Sequence, residues 1–227
     1  MTKPNIPTTG CEMLETIVKN LEWLGHDAFC LPVVGKILYF DPYRLAGRLK
    51  QADIIFVSHS HSDHCSPQDV EKITGPNTVL VTEPSSASRL TTGFAQTIVM
   101  RPGETIDLDG IRVEAVPAYN IDKKFHPKAN NWLGFVVTIK GVRIYHAGDT
   151  DFIPEMKEIR ADIALLPVSG TYTMTALEAA QAAIEIKPAV AIPMHVGRHV
   201  GALADAARFE SALVGKIRVE MLAMVNP

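Results

Sequence analysis

The apolar run Ile54-Ile55-Phe56-Val57 ends in the segment His59-Ser60-His61-Ser62-Asp63-His64, which places three imidazoles and one carboxylate within six residues. Imidazole nitrogen and carboxylate oxygen are the donors that Zn²⁺ and other borderline divalent ions favour. Crowding them at the mouth of a strand costs stability through desolvation, and through repulsion at lower pH, unless a cation occupies the site. A polar loop that happens to be rich in histidine is the bland alternative, and the strand-then-cluster arrangement argues against it. Directly afterwards, Ser66 is placed to cap a helix, Pro67 suits its first position and Asp69 favours its positive end. A strand, a donor-bearing loop and a helix start form a rigid holder.

The rest of the chain must then bring further strand ends to the same place. Strands are expected at Leu21 to Leu24, Ala28 to Val34, Lys36 to Phe40 and Asp53 to Val57, with Gly35 in a tight turn. Others follow at Thr78 to Val81, Thr97 to Met100, Ile111 to Ala118, Leu133 to Ile139, Val142 to His146, Ala161 to Leu166 and Ala189 to Met194. Thr175-Ala176-Leu177-Glu178 is a capping-box pattern. It opens a helix whose apolar residues Leu177, Ala180 and Ile184 would share one face, with Pro188 just beyond its end. A later helix runs from about Leu203 to Leu213 and stops at Gly215. This alternation predicts an α/β protein of two packed sheets covered by helices. At 227 residues the chain is one large domain or two small ones.

Two strands end in further donors. Val142 to His146 leads into Ala147-Gly148-Asp149-Thr150, where Gly148 lets the backbone turn closely. Ala189 to Met194 leads into His195. Carboxyl ends of strands are where open α/β sheets place their sites. Each signal alone is weak, since Gly-Asp-Thr is commonly a turn and a single histidine is commonly structural. Following His59 to His64 at strand-like intervals, they reinforce one another.

The order His-x-His-x-Asp-His, then Gly-Asp-Thr, then a strand ending in histidine, resembles the metallo-β-lactamase-fold hydrolases. Leu21 to Phe29 and Pro193-Met194-His195 look more like the branch that contains ascorbate-6-phosphate lactonase and the N-acylphosphatidylethanolamine phospholipase D-like proteins. The resemblance runs from Leu21 to the last strand. It implies one domain over residues 1–227, with 1–20 as an N-terminal extension, folded as a four-layer αββα sandwich with the site along one edge. It further implies that His59 and His61 bind a first metal, that Asp63, His64 and His195 bind a second, and that Asp149 bridges them. The family usually shows a third first-metal histidine where this chain has Asn120, whose amide is expected behind the ligands or facing substrate. His126, in Phe125-His126-Pro127, either swings in to substitute or is a surface histidine beside Asp122-Lys123-Lys124. His26, in the turn Gly25-His26-Asp27, is either near the metals, behind the ligands or facing substrate, or a water-exposed turn residue. His146 reads as core, His199 as an entrance residue and Asp41-Pro42 as a strand-ending turn, with support of the site second. Hydroxyls of Ser169 to Thr173 would either contact substrate or serve the helix cap.

The implied cofactor is one or two Zn²⁺, although Mn²⁺, Fe²⁺ and Ni²⁺ suit the same donors. Two such ions lower the pKa of a shared water to about 7. The expected reaction is hydrolysis of an ester, lactone, amide or phosphodiester of a small-molecule substrate by metal-activated hydroxide, with Asp63 orienting the nucleophile. Competing readings are a mononuclear iron sulfur-oxygenase and a non-catalytic metal-binding protein. A di-iron redox protein would carry an acidic residue at His61, and a nuclease would add an inserted domain or a basic arm. The net charge of −3 and the dispersed Lys and Arg residues give no reason to expect nucleic acid. No stretch reaches membrane-spanning length and Met1 to Pro7 has no apolar leader, so a cytoplasmic protein is expected. Three irregularly spaced cysteines, Cys11, Cys30 and Cys65, offer no disulfide framework, and Cys65 reads as a packed residue. Exposed strand edges would allow a homo-oligomer.

Overall fold

The apolar runs of the first half pair into one sheet, ordered β1 (Glu22–Gly25), β2 (Ala28–Val33), β3 (Lys36–Phe40), β4 (Ile54–Val57), β5 (Val79–Thr82) and β6 (Gln96–Val99). The computed structural model describes residues 10–91, 93–197 and 200–225. β1 to β3 form an antiparallel meander, whereas β3 to β6 are parallel. Parallel neighbours need crossovers. Helices α2 (Pro67–Ile73) and α3 (Pro84–Arg89) supply the last two. The second half repeats the plan with β7 (Thr105–Leu108), β8 (Ile111–Pro117), β9 (Leu133–Ile139), β10 (Val142–His146), β11 (Ile163–Pro167), β12 (Val190–Met194) and β13 (Arg218–Val219). Here β7 to β10 are antiparallel and β10 to β13 parallel. Helices α4 (Ala176–Ile186) and α5 (Leu203–Leu213) make the later crossovers.

Side-chain alternation fixes the layers. Ile54 and Phe56 of β4 join the apolar interior with Val113, Phe135 and Val137, while Ile55 and Val57 face outward onto Val70 and Ile73 of α2. The sheets meet face to face: Phe56 lies 5.3 Å from Phe135, and Phe40 stacks on His146 at 5.3 Å, centroid to centroid. Burying each of these phenylalanines stabilises the fold by roughly 1.5–3 kcal/mol. Helices cover both outer faces, so the expected αββα sandwich is the observed one. Among the described residues no helix is long and apolar enough to cross a membrane.

The differences are local. Residues before Leu21 include a helix, α1 (Gly10–Asn20), that buries Met13, Ile17 and Val18 against the sandwich beside β2 and β10. β7, α3 and the short β13 were also not anticipated. The apolar face expected for α4 is incorrect: Leu177 is 63% exposed and Ile184 39%. Its buried side is Ala176, Ala179, Ala180, Ala182, Ala183 and Ile186. Small side chains let α4 sit close to β11 and α5, so alanine rather than leucine marks the inner face.

Candidate metal centre

The loop after β4 is held by one buried carboxylate. Asp41 Oδ1 accepts from the Ser58 backbone N–H at 2.7 Å, and Oδ2 accepts from Ser58 Oγ at 2.6 Å and from His64 Nδ1 at 2.8 Å. Because the Ser58 hydroxyl donates to Asp41, its oxygen is left to accept from His59 Nδ1 at 2.9 Å. Both imidazoles therefore carry a proton on Nδ1 and turn an Nε2 lone pair inward, the arrangement of metal-binding histidines. Asp41 thus has the supporting role, and it adopts a left-handed backbone at φ 40° to do so. Ser66 accepts from the Asp69 N–H and Pro67 opens α2, as the sequence predicts. Asp69 is turned mainly to another task, accepting from the backbone N–H groups of Arg44 and Leu45. Arg89 donates to the Ser60 carbonyl and ties the loop to α3.

Three connections of the second half complete the cluster. Asn120 does not face inward. Its Oδ1 accepts from the His126 backbone N–H at 2.9 Å and lies 3.1 Å from His126 Nδ1, while Nδ2 donates to the Tyr172 carbonyl and to Asp151. Both neighbours of His126 Nδ1, Asn120 Oδ1 and the Tyr172 carbonyl, are acceptors, so Nε2 is the free nitrogen. Of the two alternatives at this place, the structure brings His126 to His59 and His61. After β10, Gly148 turns at φ 61°, and a Cβ there would lie 2.7 Å from the Leu133 carbonyl oxygen, so only glycine fits. Asp149 follows. His195 ends β12 at φ 62°, with Nδ1 held by Ser169 Oγ at 2.8 Å, itself 3.1 Å from Thr173 Oγ1.

Asp149 joins the two sets. Its Oδ2 lies 3.1 Å from His126 Nε2 and 3.2 Å from His195 Nε2, and its Oδ1 lies 3.4 Å from His64 Nε2. His59 Nε2 lies 3.1 Å from His61 Nδ1. Donors around a tetrahedral ion at about 2.0–2.1 Å are roughly 3.3 Å apart, and these spacings match the edges of such a shell. The inward nitrogens of His64, His126 and His195 and Asp149 Oδ1 are buried without a hydrogen-bond partner among the described residues. His59, His61 and His126 form one group able to hold an ion, and His64, Asp149, His195 and Asp27 another. Such orphaned lone pairs fit a divalent cation.

Electrostatics agree with the geometry. Burial pushes His59 and His61 down, keeping them neutral. Burial also opposes charge on His64, but Asp149 and Asp41 outweigh it and raise its pKa well above the usual value. A cation at Nε2 would substitute for that proton. Burial disfavours the Asp149 carboxylate as well, yet His195, His64 and His126 hold it well below the normal range.

His26, at φ 55°, is buried behind the second group, with Nε2 3.2 Å from Asp63 Oδ2. It is not the water-exposed turn residue; burial lowers its pKa to about 4. The same contact overcomes burial at Asp63 and keeps that carboxyl strongly acidic. Asp63 and His61 are only partly buried, so they form the mouth of the centre. Trp132, which carries no metal-binding signal in the sequence, walls its inner side 4.8 Å from both His59 and His61. Asp27 was passed over too, having the look of a turn residue. His146 belongs to the core, Cys65 is a buried free thiol whose pKa burial raises, and His199 lies outside the described residues.

Residues 20–195 match the Beta-lactamase superfamily domain. With the sandwich and its donors, this defines a metal-dependent hydrolase of the metallo-β-lactamase superfamily. A relative in Thermoplasma acidophilum, a UPF0173 metal-dependent hydrolase, is 37% identical over 213 residues, covering 88% of this chain and 93% of its own. One in Pyrococcus abyssi is 32% identical over 217 residues, covering 89% and 95%. This chain belongs to that UPF0173 metal-dependent hydrolase family. Among solved structures, Igni18, a metallo hydrolase from Ignicoccus hospitalis, is 26% identical with a TM-score of 0.72, covering 89% of this chain and 94% of its own.

Proposed function

We propose that this hydrolase cleaves an ester, lactone, amide or phosphodiester bond of a small molecule with one or two divalent ions, Zn²⁺ foremost. His59, His61 and His126 would hold the first ion, Asp63, His64 and His195 the second, and Asp149 both. The single observation that carries this reading is the position of Asp149, whose carboxylate lies within 3.1–3.4 Å of imidazole nitrogens from both groups. Ions bound there lower the pKa of water to about 7 and polarise the carbonyl or phosphoryl oxygen under attack.

The chain's own groups do the rest. Asp63, at the mouth, orients the attacking water by accepting its hydrogen bond. A carboxyl held so acidic by His26 positions that water better than it keeps its proton. Asp41, Ser58, Asn120 and Ser169 fix the imidazole tautomers, and Trp132 keeps solvent from the inner side. No side-chain nucleophile is needed, so no covalent enzyme intermediate forms. The likeness of Leu21 to Phe29 and of Pro193-Met194-His195 to the lactonase and phospholipase D-like branch puts lactones and phosphodiesters first among substrates.

The test is elemental analysis of the purified protein, followed by a panel of lactone, phosphodiester, ester and thioester substrates. Bound divalent metal and turnover abolished in His61→Ala are expected. Unchanged turnover in that variant would refute the assignment, as would consumption of oxygen by an iron-loaded protein in place of hydrolysis.

A further inference from the structure

Asp27 occupies the β1–β2 turn and is fully buried, and neither of its carboxylate oxygens has a hydrogen-bond partner among the described residues. A buried carboxyl without donors either takes up a proton, as burial and the neighbouring Asp149 favour here, or stays ionised beside a compensating cation. His64 Nδ1 approaches Oδ2 only to 3.9 Å, and that nitrogen is already engaged by Asp41 at 2.8 Å. The remaining neighbours point to what compensates it. One oxygen of Asp27 and one donor atom each from His64, Asp149 and His195 all lie within 4.8 Å of one another.

The turn is built to hold the residue there. His26 takes the left-handed conformation at φ 55°, its carbonyl accepts from Trp23 Nε1 at 2.9 Å, and the Asp27 carbonyl accepts from His146 Nε2 at 2.9 Å. These contacts pin the backbone of the turn on both sides of Asp27.

We infer that Asp27 is an additional ligand of the second ion, and that it biases this position toward a harder metal than the first. The inference rests on the two-ion reading above. The first position is surrounded by three imidazoles and Asp149, a set suited to Zn²⁺. The second gains a carboxylate, so that Asp27 and Asp149 accompany His64 and His195, with Asp63 Oδ2 4.0 Å from His64 Nε2. Oxygen-rich sets shift preference toward Mn²⁺ or Fe²⁺. The consequence is a centre that takes two different metals when offered a mixture.

The test compares the wild type with Asp27→Asn, an isosteric change. Each chelator-stripped protein is titrated with Mn²⁺ and with Zn²⁺, and bound metal is counted by elemental analysis and manganese EPR. In the variant, Mn²⁺ affinity should fall at least about tenfold, while one Zn²⁺ per chain binds as in the wild type. Unchanged Mn²⁺ affinity in a folded variant would overturn the inference. Wild-type crystals soaked in Mn²⁺ decide the matter even if the variant fails to fold. An anomalous peak about 2.0–2.6 Å from an Asp27 oxygen supports direct ligation, and one beyond about 3.5 Å refutes it. A wild type that binds no divalent ion refutes the two-ion reading itself, whereas two ions held equally by both proteins refutes only the role of Asp27.

Discussion

The first sheet passes from an antiparallel meander, β1 to β3, into parallel strands, and the second does the same from β7 to β10 onward. Built alike, they feed the centre differently. The first half concentrates His59, His61, Asp63 and His64 on one loop whose tautomers follow from a single anchor, Asp41. The second half deals out His126, Asp149 and His195 from three separate connections, with separate local support at His126 and at His195. Concentrated donors share one point of control. Dispersed donors depend on the register of the whole sheet and can be altered one at a time.

Asp149 is where the two modes meet, so Asp149→Asn is expected to have the largest effect. Loss of a shared ligand should lower kcat/KM by on the order of 10³-fold or more and release metal, read by steady-state kinetics and elemental analysis. An Asn variant that keeps both ions would mean that the halves are not joined through this carboxylate. Stripping metal from the wild type tests the joint energetically. Ions present at about 100 times their Kd add about 2.7 kcal/mol, so chelation should lower the Tm by roughly 5–10 °C in a thermal scan. The contrast between one anchor and many predicts unequal losses. Asp41→Asn should weaken both ions by about 10–100-fold, whereas Asn120→Ala should weaken only the one at His126, each measured by metal titration. Equal losses in both variants would break the comparison. The smallest effect belongs to the outer face of the second half, where Leu177→Ala should change stability by no more than about 0.5 kcal/mol in urea denaturation.

What could be read beforehand follows the same division. His59 to His64 announced themselves because the donors are neighbours in sequence, and the strand before them is uniformly apolar. Asp149 and His195 were legible only as strand ends. The choice between Asn120 and His126 was not, because it depends on the path of residues 121–125, which no local pattern encodes. Asn120, which stands where the family shows a histidine, is the amide that holds His126 in place. Asp27 was hidden by residing in a turn, where aspartate is unexceptional. Alternation and capping located most strands, α2 and α4, but not β7, whose four residues Thr105-Ile106-Asp107-Leu108 are nowhere fully buried. For α4, residue size was mistaken for burial: the leucine faces water and the alanines face the sheet.

The carbonyl of His26 accepts both the Trp23 indole and, at 3.2 Å, the backbone N–H of His195. An early hairpin is thereby stitched to one of the last strands to leave the ribosome. The four-donor loop lies wholly within the first sheet, whereas His195 reaches it through this distant contact. Closure of the reactive chamber must wait for that late stitch, at the loop-closure cost of a very distant contact.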